Sequence, residues 1–310
     1  MLNVKGSLVA LITPFRHGKV DEVTLKRLVE SQIAGGTSGI VPCGTTGESA
    51  TLSHEEHDRV IKVVIQAARG RVPVIAGTGS NNTAEAVRLT QHAKHSGADG
   101  ALLISPYYNK PTQQGLYLHF KAIAEAVDIP IIPYNIASRT AVNIEPETIA
   151  KLVAELPNIV AIKESSGNLE QMSRILQLTN RKIALLSGDD SLTLPVLSIG
   201  GVGVISVVAN LVPHDVTAMI KAFEQGKISK AIAWHEKLLP LVKAMFVETN
   251  PVPVKTAMGI LGALPDASVR LPLCSMLAEN IERLNAALAG YGLRPRGKAV
   301  EKTLKSKRTR

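Results

Sequence analysis

The stretch from Ile159 to Ser166 reads I-V-A-I-K-E-S-S, and the interpretation of the whole chain starts from it. Its apolar residues, mostly β-branched, are typical of a short buried strand, and Lys163 follows where the apolar run ends. A lysine is rarely buried without a partner, because its charged head loses water. If the strand is central, Lys163 offers the neutral, nucleophilic amine that a Schiff base requires. Alternatively, Lys163 reaches solvent at the strand end or pairs with Glu164.

Similar apolar runs recur along the chain and predict eight strands. They span Ser7–Phe15, Gly39–Gly44, Val72–Gly79, Ala101–Tyr107, Ile129–Asn135, Ile159–Ser166, Ile183–Asp189 and Gly203–Val208. Helical spacing follows each run, over Asp21–Ala34, Ser53–Ala68, Thr83–Ser96, Gln113–Val127, Pro146–Glu155, Leu169–Leu178, Leu192–Ile199 and Asp215–Glu224. Strict alternation of strand and helix predicts an α/β fold, a parallel (β/α)8 TIM barrel. A doubly wound sheet is the alternative fold.

Strand signals stop after Asn210, and three helices are predicted in the rest of the chain. They cover Ile228–Phe246, Val254–Leu261 and Cys274–Ala289, with a helix break at Asn250-Pro251-Val252-Pro253. We interpret them as a small helical layer on the barrel. The expected division is a barrel over residues 1–212, C-terminal helices over 213–293 and a basic, disordered tail over 294–310.

Composition and charge exclude several classes of protein. The formal net charge is +9, but residues 294–310 hold eight Lys or Arg and one Glu, so the tail accounts for most of it. Aromatic residues make up only 3% of the chain, unlike proteins that stack single-stranded nucleic acid, so no nucleic-acid partner is expected. No apolar run is long enough to cross a membrane, and we expect a soluble, cytoplasmic protein.

Polar residues gather at the carboxyl ends of the predicted strands, where a barrel of this kind builds its active site. Glycines flank Thr45 and Thr46, so backbone and hydroxyl groups there can face a small carboxylate. Arg139 offers a bidentate fork for a second carboxylate. Tyr134, one strand before Lys163, suits proton transfer beside the amine. A Gly-Thr turn and a packed tyrosine are common structural features, but their joint occurrence around a lysine favours an active site.

Known metal and phosphate motifs are missing from the sequence. No phosphate loop or dinucleotide fingerprint is present. His54 and His57 are three residues apart, which does not fit the zinc motif H-E-x-x-H, and His92 and His95 lack a third ligand. We expect no metal. The two cysteines, far apart in sequence, suggest no disulfide framework.

With these residues placed, the chain from about Lys5 to Leu293 resembles the dihydrodipicolinate synthase (4-hydroxy-tetrahydrodipicolinate synthase) family. That family lies in the pyruvate-dependent class I aldolase superfamily, which also holds N-acetylneuraminate lyase. The resemblance is carried by six motifs: G-T-T-G-E-S at 44–49, S-P-Y-Y-N-K-P at 105–111, Y-N-x-x-S-R-T at 134–140, I-K-E at 162–164, S-G-D-D at 187–190 and G-V-I-S-V at 203–207.

The resemblance implies a mechanism without any organic cofactor or metal. Lys163 would form a Schiff base with pyruvate. Thr45 and Thr46 would bind the pyruvate carboxylate and join a proton relay through Tyr134. Tyr108 would complete that relay from a neighbouring subunit, so the resemblance also implies a homo-oligomer, a tetramer in this family.

The second substrate implied by the resemblance is L-aspartate 4-semialdehyde. Arg139 would hold its carboxylate while the pyruvate enamine attacks its aldehyde, and the adduct would cyclise to 4-hydroxy-tetrahydrodipicolinate, an intermediate of lysine and diaminopimelate biosynthesis. Backbone groups of Gly188 and Ile205 would line the pyruvate pocket. Three residues depart from the family pattern around Arg139, namely Pro133, Ala137 and Ala141.

Two alternative functions stay open at this point. One is an aldolase or lyase of the same superfamily that acts on a 2-keto-3-deoxy sugar acid. The other is a non-catalytic barrel that binds a partner. The resemblance further implies that L-lysine binds as an inhibitor, at the positions Ser49, Ala50, His54, His57, Asn81, Glu85 and Tyr107. Alternatively, His54 and His57 lie on a solvated helix face.

Overall fold

The computed structural model describes Leu2 and residues 4–295, and its centre is a closed parallel sheet. The barrel strands are β1 (Gly6–Ala10), β2 (Gly39–Val41), β3 (Ile75–Gly77), β4 (Gly100–Ile104), β5 (Ile131–Asn135), β6 (Ala161–Glu164), β7 (Ala184–Ser187) and β8 (Gly203–Ser206). Their order is β2-β1-β8-β7-β6-β5-β4-β3, and a parallel bridge from Ile40 to Val74 joins the two ends of this row. The predicted barrel is confirmed, and the doubly wound alternative is wrong.

A helix follows every barrel strand, as the alternation of patterns predicts. These helices are α1 (Glu22–Ala34), α2 (His54–Ala68), α3 (Thr83–His95), α4 (Gln113–Ala126), α5 (Pro146–Glu155), α6 (Leu169–Leu178), α7 (Thr193–Ser198) and α8 (Pro213–Glu224). A single-turn helix, Ala137–Thr140, lies between β5 and α5, and a small hairpin pairs Phe15–Arg16 with Lys19–Val20. The start of α2 is a capping box, in which the Ser53 and Glu56 side chains each accept the other's backbone N–H.

The barrel strands are covered on both faces, which explains their continuous apolar sequences. On β6, Ala161 packs inside the barrel and Ile162 packs against the outer helices. On β5, Ile132 and Tyr134 likewise point inward. Because side chains alternate along a strand, Lys163 points into the barrel and Glu164 points outward.

Three further helices form a C-terminal layer: α9 (Ile228–Ala244), α10 (Val252–Ile260) and α11 (Ala278–Tyr291). The predicted break near Pro251 is present, although α10 begins earlier than expected because proline is accommodated in a first helical turn. Helix α8 contacts β1. The boundary between barrel and C-terminal helices at residue 212 stays a prediction. Of the predicted tail 294–310, residues 296–310 lie outside the described residues. No helix within the described ranges is long and apolar enough to cross a membrane.

A buried ion pair connects the C-terminal layer to the loop after β2. Lys255 on α10 places Nζ 2.6 Å from Glu48 Oε1, and neither side chain is exposed to solvent. Lys255 also donates to the Thr13 carbonyl at 3.0 Å, and Glu48 Oε2 accepts the Arg270 backbone N–H at 3.0 Å. Burial lowers the pKa of Lys255, and the Glu48 carboxylate opposes that shift. Each buried charge therefore depends on its partner.

Lys255→Met is expected to lower the free energy of unfolding by about 3–5 kcal/mol, because it leaves the Glu48 charge buried and unpaired. Urea unfolding followed by circular dichroism measures the loss. The matched control is Lys243→Met, which changes an exposed lysine on α9 and should cost far less. The double variant Lys255→Met/Glu48→Gln should recover part of the loss. Equal stabilities of the two single variants would contradict the proposed dependence.

Candidate active site

Lys163 lies inside the barrel near the carboxyl end of β6. Its side chain is largely buried, with a relative exposure of 6%, and it pairs in register with Tyr134 on β5. Nζ lies 3.9 Å from the centroid of the Tyr134 ring. Glu164 does not pair with this lysine, because its carboxylate points outward and accepts hydrogen bonds from Asn135, Ser166 and Gln171. Within residues 4–295, no carboxylate forms an ion pair with Lys163.

Gly188 lets the lysine side chain lie along the barrel wall. A Cβ on Gly188 would stand 2.9 Å from Lys163 Cε and 1.9 Å from Ser165 Oγ, which is too close for either atom. Any larger residue would therefore push Lys163 or Ser165 out of place. Ile205 on β8 is also buried in the barrel interior. Both predicted pocket residues thus line the interior that holds Lys163.

The loop after β2 carries the two predicted carboxylate-binding threonines. Thr45 is half-buried and lines a cavity of about 460 Å³ at the carboxyl end of the barrel. Thr46 is buried, and its Oγ1 accepts a hydrogen bond from Asn250 Nδ2 at 3.0 Å. Thr13 Oγ1 donates to the Gly47 carbonyl at 2.7 Å and holds the loop against the barrel. The loop therefore has a fixed shape beside the cavity.

Arg139 lines the same cavity from the single-turn helix after β5. Its Nη2 donates to the Asn250 carbonyl at 3.3 Å, and the side chain is exposed. Ala141, which ends this turn, has φ +57°, in the left-handed region that favours glycine. Alanine at this position holds a backbone conformation that glycine adopts at lower energetic cost.

Predicted inhibitor-site residues lie along the same cavity. Six of the seven line it: Ser49, Ala50, His54, His57, Glu85 and Tyr107. Glu85 accepts hydrogen bonds from Ser80 and from His54, and these bonds lower its pKa. The seventh residue, Asn81, does not line the cavity, and its carbonyl accepts a hydrogen bond from Asn109 at 2.9 Å.

Two histidines of this set have different environments. His57 is buried, its Nε2 donates to the Gly77 carbonyl at 3.0 Å, and burial lowers its pKa to about 4. His57 is therefore neutral near pH 7. His54 is more exposed and contacts Glu85 at 2.7 Å. Within the described part of the chain, no group of three His, Cys, Asp or Glu side chains is arranged to hold a metal ion.

Tyr108 lies outside the cavity of its own chain. It is 91% exposed, and its φ of +72° turns the loop after β4 outward. Tyr107, the preceding residue, stays at the cavity wall. Of the predicted catalytic residues, Tyr134 contacts Lys163 and lines the cavity together with Thr45, whereas Tyr108 lies apart from them.

Sequence reasoning missed three residues at this site. Asn250 contacts both Thr46 and Arg139, but its sequence context indicates only a helix break. Lys255 stands in the apolar stretch V-P-V-K-T-A-M, a pattern that signals a buried lysine. Ser165 lies two residues after Lys163 on the same side of the chain, and its buried hydroxyl has no partner among the described residues.

Comparisons with known proteins agree on one family. The model of the dihydrodipicolinate synthetase family matches residues 3–290. The 4-hydroxy-tetrahydrodipicolinate synthase of Syntrophus aciditrophicus is 58% identical over 289 residues, which cover 93% of this chain and 99% of that relative.

Solved structures give the same result. Dihydrodipicolinate synthase from Acinetobacter baumannii, complexed with pyruvate, superposes with a TM-score of 0.91 at 44% identity and covers 94% of this chain and 100% of its own. The enzyme from Cyanidioschyzon merolae with lysine bound also has a TM-score of 0.91 at 44% identity and covers 93% of this chain and 98% of its own. The chain, with its buried lysine at the carboxyl rim of a parallel barrel, belongs to the dihydrodipicolinate synthetase family.

Proposed function

We propose that this enzyme condenses pyruvate with L-aspartate 4-semialdehyde to 4-hydroxy-tetrahydrodipicolinate, in lysine and diaminopimelate biosynthesis. The observation that carries the proposal is the place of Lys163, buried at the carboxyl rim with Nζ 3.9 Å from the Tyr134 ring. The substrates are small soluble acids, and we place the enzyme in the cytoplasm. The family assignment favours this reaction over a sugar-acid aldolase and over a non-catalytic barrel.

Covalent chemistry begins at the lysine amine. The amine attacks the keto carbon of pyruvate, and loss of water from the carbinolamine gives the Schiff base. Tyr134, whose ring lies 3.9 Å from Lys163 Nζ, delivers and removes the protons of these steps. Thr45 and Thr46 hold the pyruvate carboxylate. Loss of a methyl proton then gives the nucleophilic enamine, with Lys163 as the only covalent group required.

Carbon–carbon bond formation takes place in the open part of the cavity. Arg139 lines this part and holds the carboxylate of the semialdehyde. The enamine carbon attacks the aldehyde, and its oxygen takes up a proton. The amino group of the adduct then attacks the Schiff-base carbon and displaces Lys163, which closes the ring and returns the free amine.

Borohydride reduction in the presence of pyruvate is expected to add one reduced pyruvate to Lys163, detected by intact mass and peptide mapping. Lys163→Ala should give no adduct. The matched control is Lys151→Ala, because Lys151 Nζ also lies over a tyrosine ring, 3.8 Å from the centroid of Tyr117, outside the barrel. An unmodified wild-type protein, or an adduct on another lysine, would contradict the proposed chemistry. Turnover of a 2-keto-3-deoxy sugar acid but not of the semialdehyde would support the aldolase alternative.

We further propose that Tyr108 acts in the active site of a neighbouring subunit of a homotetramer. Its 91% exposure and outward loop keep it away from Tyr134 in its own chain while leaving it available to another. A phenol supplied in this way would carry protons between the Tyr134 relay and solvent. The site of one chain is then incomplete without its partner.

Complementation between inactive chains tests this arrangement. Tyr108→Phe alone is expected to lower kcat about 100-fold or more, the usual contribution of a proton-transfer group. Hybrid oligomers of Tyr108→Phe and Lys163→Ala chains, purified with two affinity tags, should regain activity. Each recovered site would combine Lys163 of one chain with Tyr108 of the other. Hybrids as inactive as their parents would show that Tyr108 acts within its own chain or not at all.

Lysine is the inhibitor that we propose for the outer part of the cavity. The Glu85 carboxylate, with its lowered pKa, offers a charged partner for the lysine α-amino group, and His57 lines the same part of the cavity, whereas Asn81 lies outside it. A structure of the related Cyanidioschyzon merolae enzyme contains bound lysine. Lysine thus suits the negative charge of Glu85, and it is also the ligand bound in a related enzyme.

Glu85→Gln is expected to raise the inhibition constant for L-lysine about tenfold or more, because it removes a charged hydrogen-bond acceptor. Inhibition is measured as the fraction of each variant's own uninhibited rate. The control is Glu147→Gln, which changes an exposed carboxylate on α5 and should leave the inhibition curve in place. Identical curves for the two variants, or no effect of millimolar lysine on the wild type, would refute the site.

A further inference from the structure

Asn250 contacts both residues proposed to hold substrate carboxylates. It lies between α9 and α10, is 5% exposed and lines the cavity. Its amide Nδ2 donates to Thr46 Oγ1 at 3.0 Å, and its backbone carbonyl accepts from Arg139 Nη2 at 3.3 Å. One residue of the C-terminal layer therefore joins the pyruvate side of the site to the semialdehyde side.

The contact with Thr46 determines which way that hydroxyl can donate. An amide nitrogen is only a donor, so the Thr46 oxygen must accept from it. A hydroxyl has a single proton, and here that proton is not used by Asn250. Because Thr46 is 2% exposed, little water is available to take the proton instead. The hydroxyl is thus kept as a donor for an anionic ligand.

The contact with Arg139 limits where the guanidinium can lie. Arg139 is exposed, and a side chain of this length loses conformational freedom when it binds a ligand. The Asn250 carbonyl uses one of its N–H groups and leaves the others for a carboxylate. Part of the conformational entropy of the Arg139 side chain is therefore lost before the semialdehyde binds, which lowers the entropic cost of binding.

The segment that carries Asn250 is itself fixed to the loop after β2 that carries Thr45 and Thr46, here called the threonine loop. Lys255, one turn further along, forms the fully buried ion pair with Glu48, two residues after Thr46. The two segments are thus joined at two points. Asn250 Oδ1 is buried without a hydrogen-bond partner among the described residues, which is uncommon for an amide with a purely structural role.

We propose that Asn250 is a positioning residue that links the two carboxylate sites, by keeping the Thr46 hydroxyl as a donor and by holding Arg139 at the cavity. This inference rests on the proposed function, since it assigns pyruvate to Thr46 and the semialdehyde to Arg139. The residue acts through its two partners, and the reacting atoms stay with Lys163 and Tyr134.

Asn250→Asp tests the inference because it keeps the shape of the side chain and replaces the donor with acceptors. The new carboxylate draws the Thr46 proton toward itself, so the KM for pyruvate is expected to rise roughly 10- to 100-fold. The pyruvate concentration that gives half-maximal borohydride trapping should rise by the same factor. Asn180→Asp, at an exposed turn before β7, introduces the same charge and should leave both values unchanged.

A double-mutant cycle with Thr46→Val separates positioning from a general structural effect. If Asn250 acts through the Thr46 hydroxyl, Asn250→Asp should raise the pyruvate KM much less in a Thr46→Val background than in the wild type. Thr46→Ser, which keeps the hydroxyl, should restore the full effect. Equal, additive effects in both backgrounds, or an unchanged KM in Asn250→Asp, would overturn the inference.

A second variant and the wild-type trapping experiment complete the test. If Asn250→Asp does not fold, Asn250→Ala takes its place in the same cycle, with the same expected loss of coupling and with circular dichroism to establish folding. If the wild type itself gives no pyruvate adduct on Lys163, the proposed function fails. If the wild type forms the adduct and the Asn250 variant keeps the wild-type KM for pyruvate, the positioning role is rejected and the proposed function stands.

Discussion

The bridge between Ile40 and Val74 closes a row of eight parallel strands into a ring, and the geometry of the site depends on that closure. A closed ring has no free sheet edge, so backbone groups of each strand find partners on both sides. Because the strands are parallel, their carboxyl ends share one rim. Thr45, Tyr134 and Lys163 therefore come together although they belong to three different strand–loop segments. Side chains alternate along each strand, and closure makes one face the interior and the other the exterior, which separates Lys163 from the adjacent Glu164.

Two buried lysines in this molecule show how their partners determine their use. Lys255 is fully buried but is matched by the Glu48 carboxylate, the Thr13 carbonyl and the Phe15 ring. A buried ammonium group with so many partners fits a structural role, which links α10 to the loop after β2. Lys163 is nearly as buried, yet within residues 4–295 it has no carboxylate partner and contacts an aromatic ring. A lysine left without a counter-charge beside an open cavity is suited to covalent chemistry.

The barrel could be predicted because its signals are local and repeated. Each apolar run is followed by helical spacing, and a start signal such as Ser53 with Glu56 fixes a helix terminus within a few residues. Strand ends were less certain, since an apolar stretch such as Ser7–Phe15 continues past Ala10 into a loop that is equally buried. The residues at the carboxyl rim could be predicted from the topology, because locating a strand in the sequence also locates its carboxyl end.

The partners of Asn250 and Lys255 could not be predicted from the sequence, for a different reason. Their partners, Thr46 and Glu48, are more than 200 positions away in the chain, and no local pattern reports such a contact. Tyr108 presents the opposite difficulty. Its place on the loop after β4 follows from the sequence, but a solvent-exposed ring acquires a role only through a second chain.

The cavity joins the catalytic rim to the proposed lysine site through shared segments. Ser49 and Ala50 directly follow Glu48 on the threonine loop, and Tyr107 precedes Tyr108 on the loop after β4. A ligand that binds either loop in the outer part of the cavity can therefore affect binding at the rim through the same backbone segment. Because any such coupling is reciprocal, lysine at the proposed site and pyruvate at the rim would alter each other's affinity by one common factor. The buried ion pair of Glu48 with Lys255 anchors this loop to α10 between Thr46 and Ser49, so one contact of the C-terminal layer holds the loop segment that both sites share.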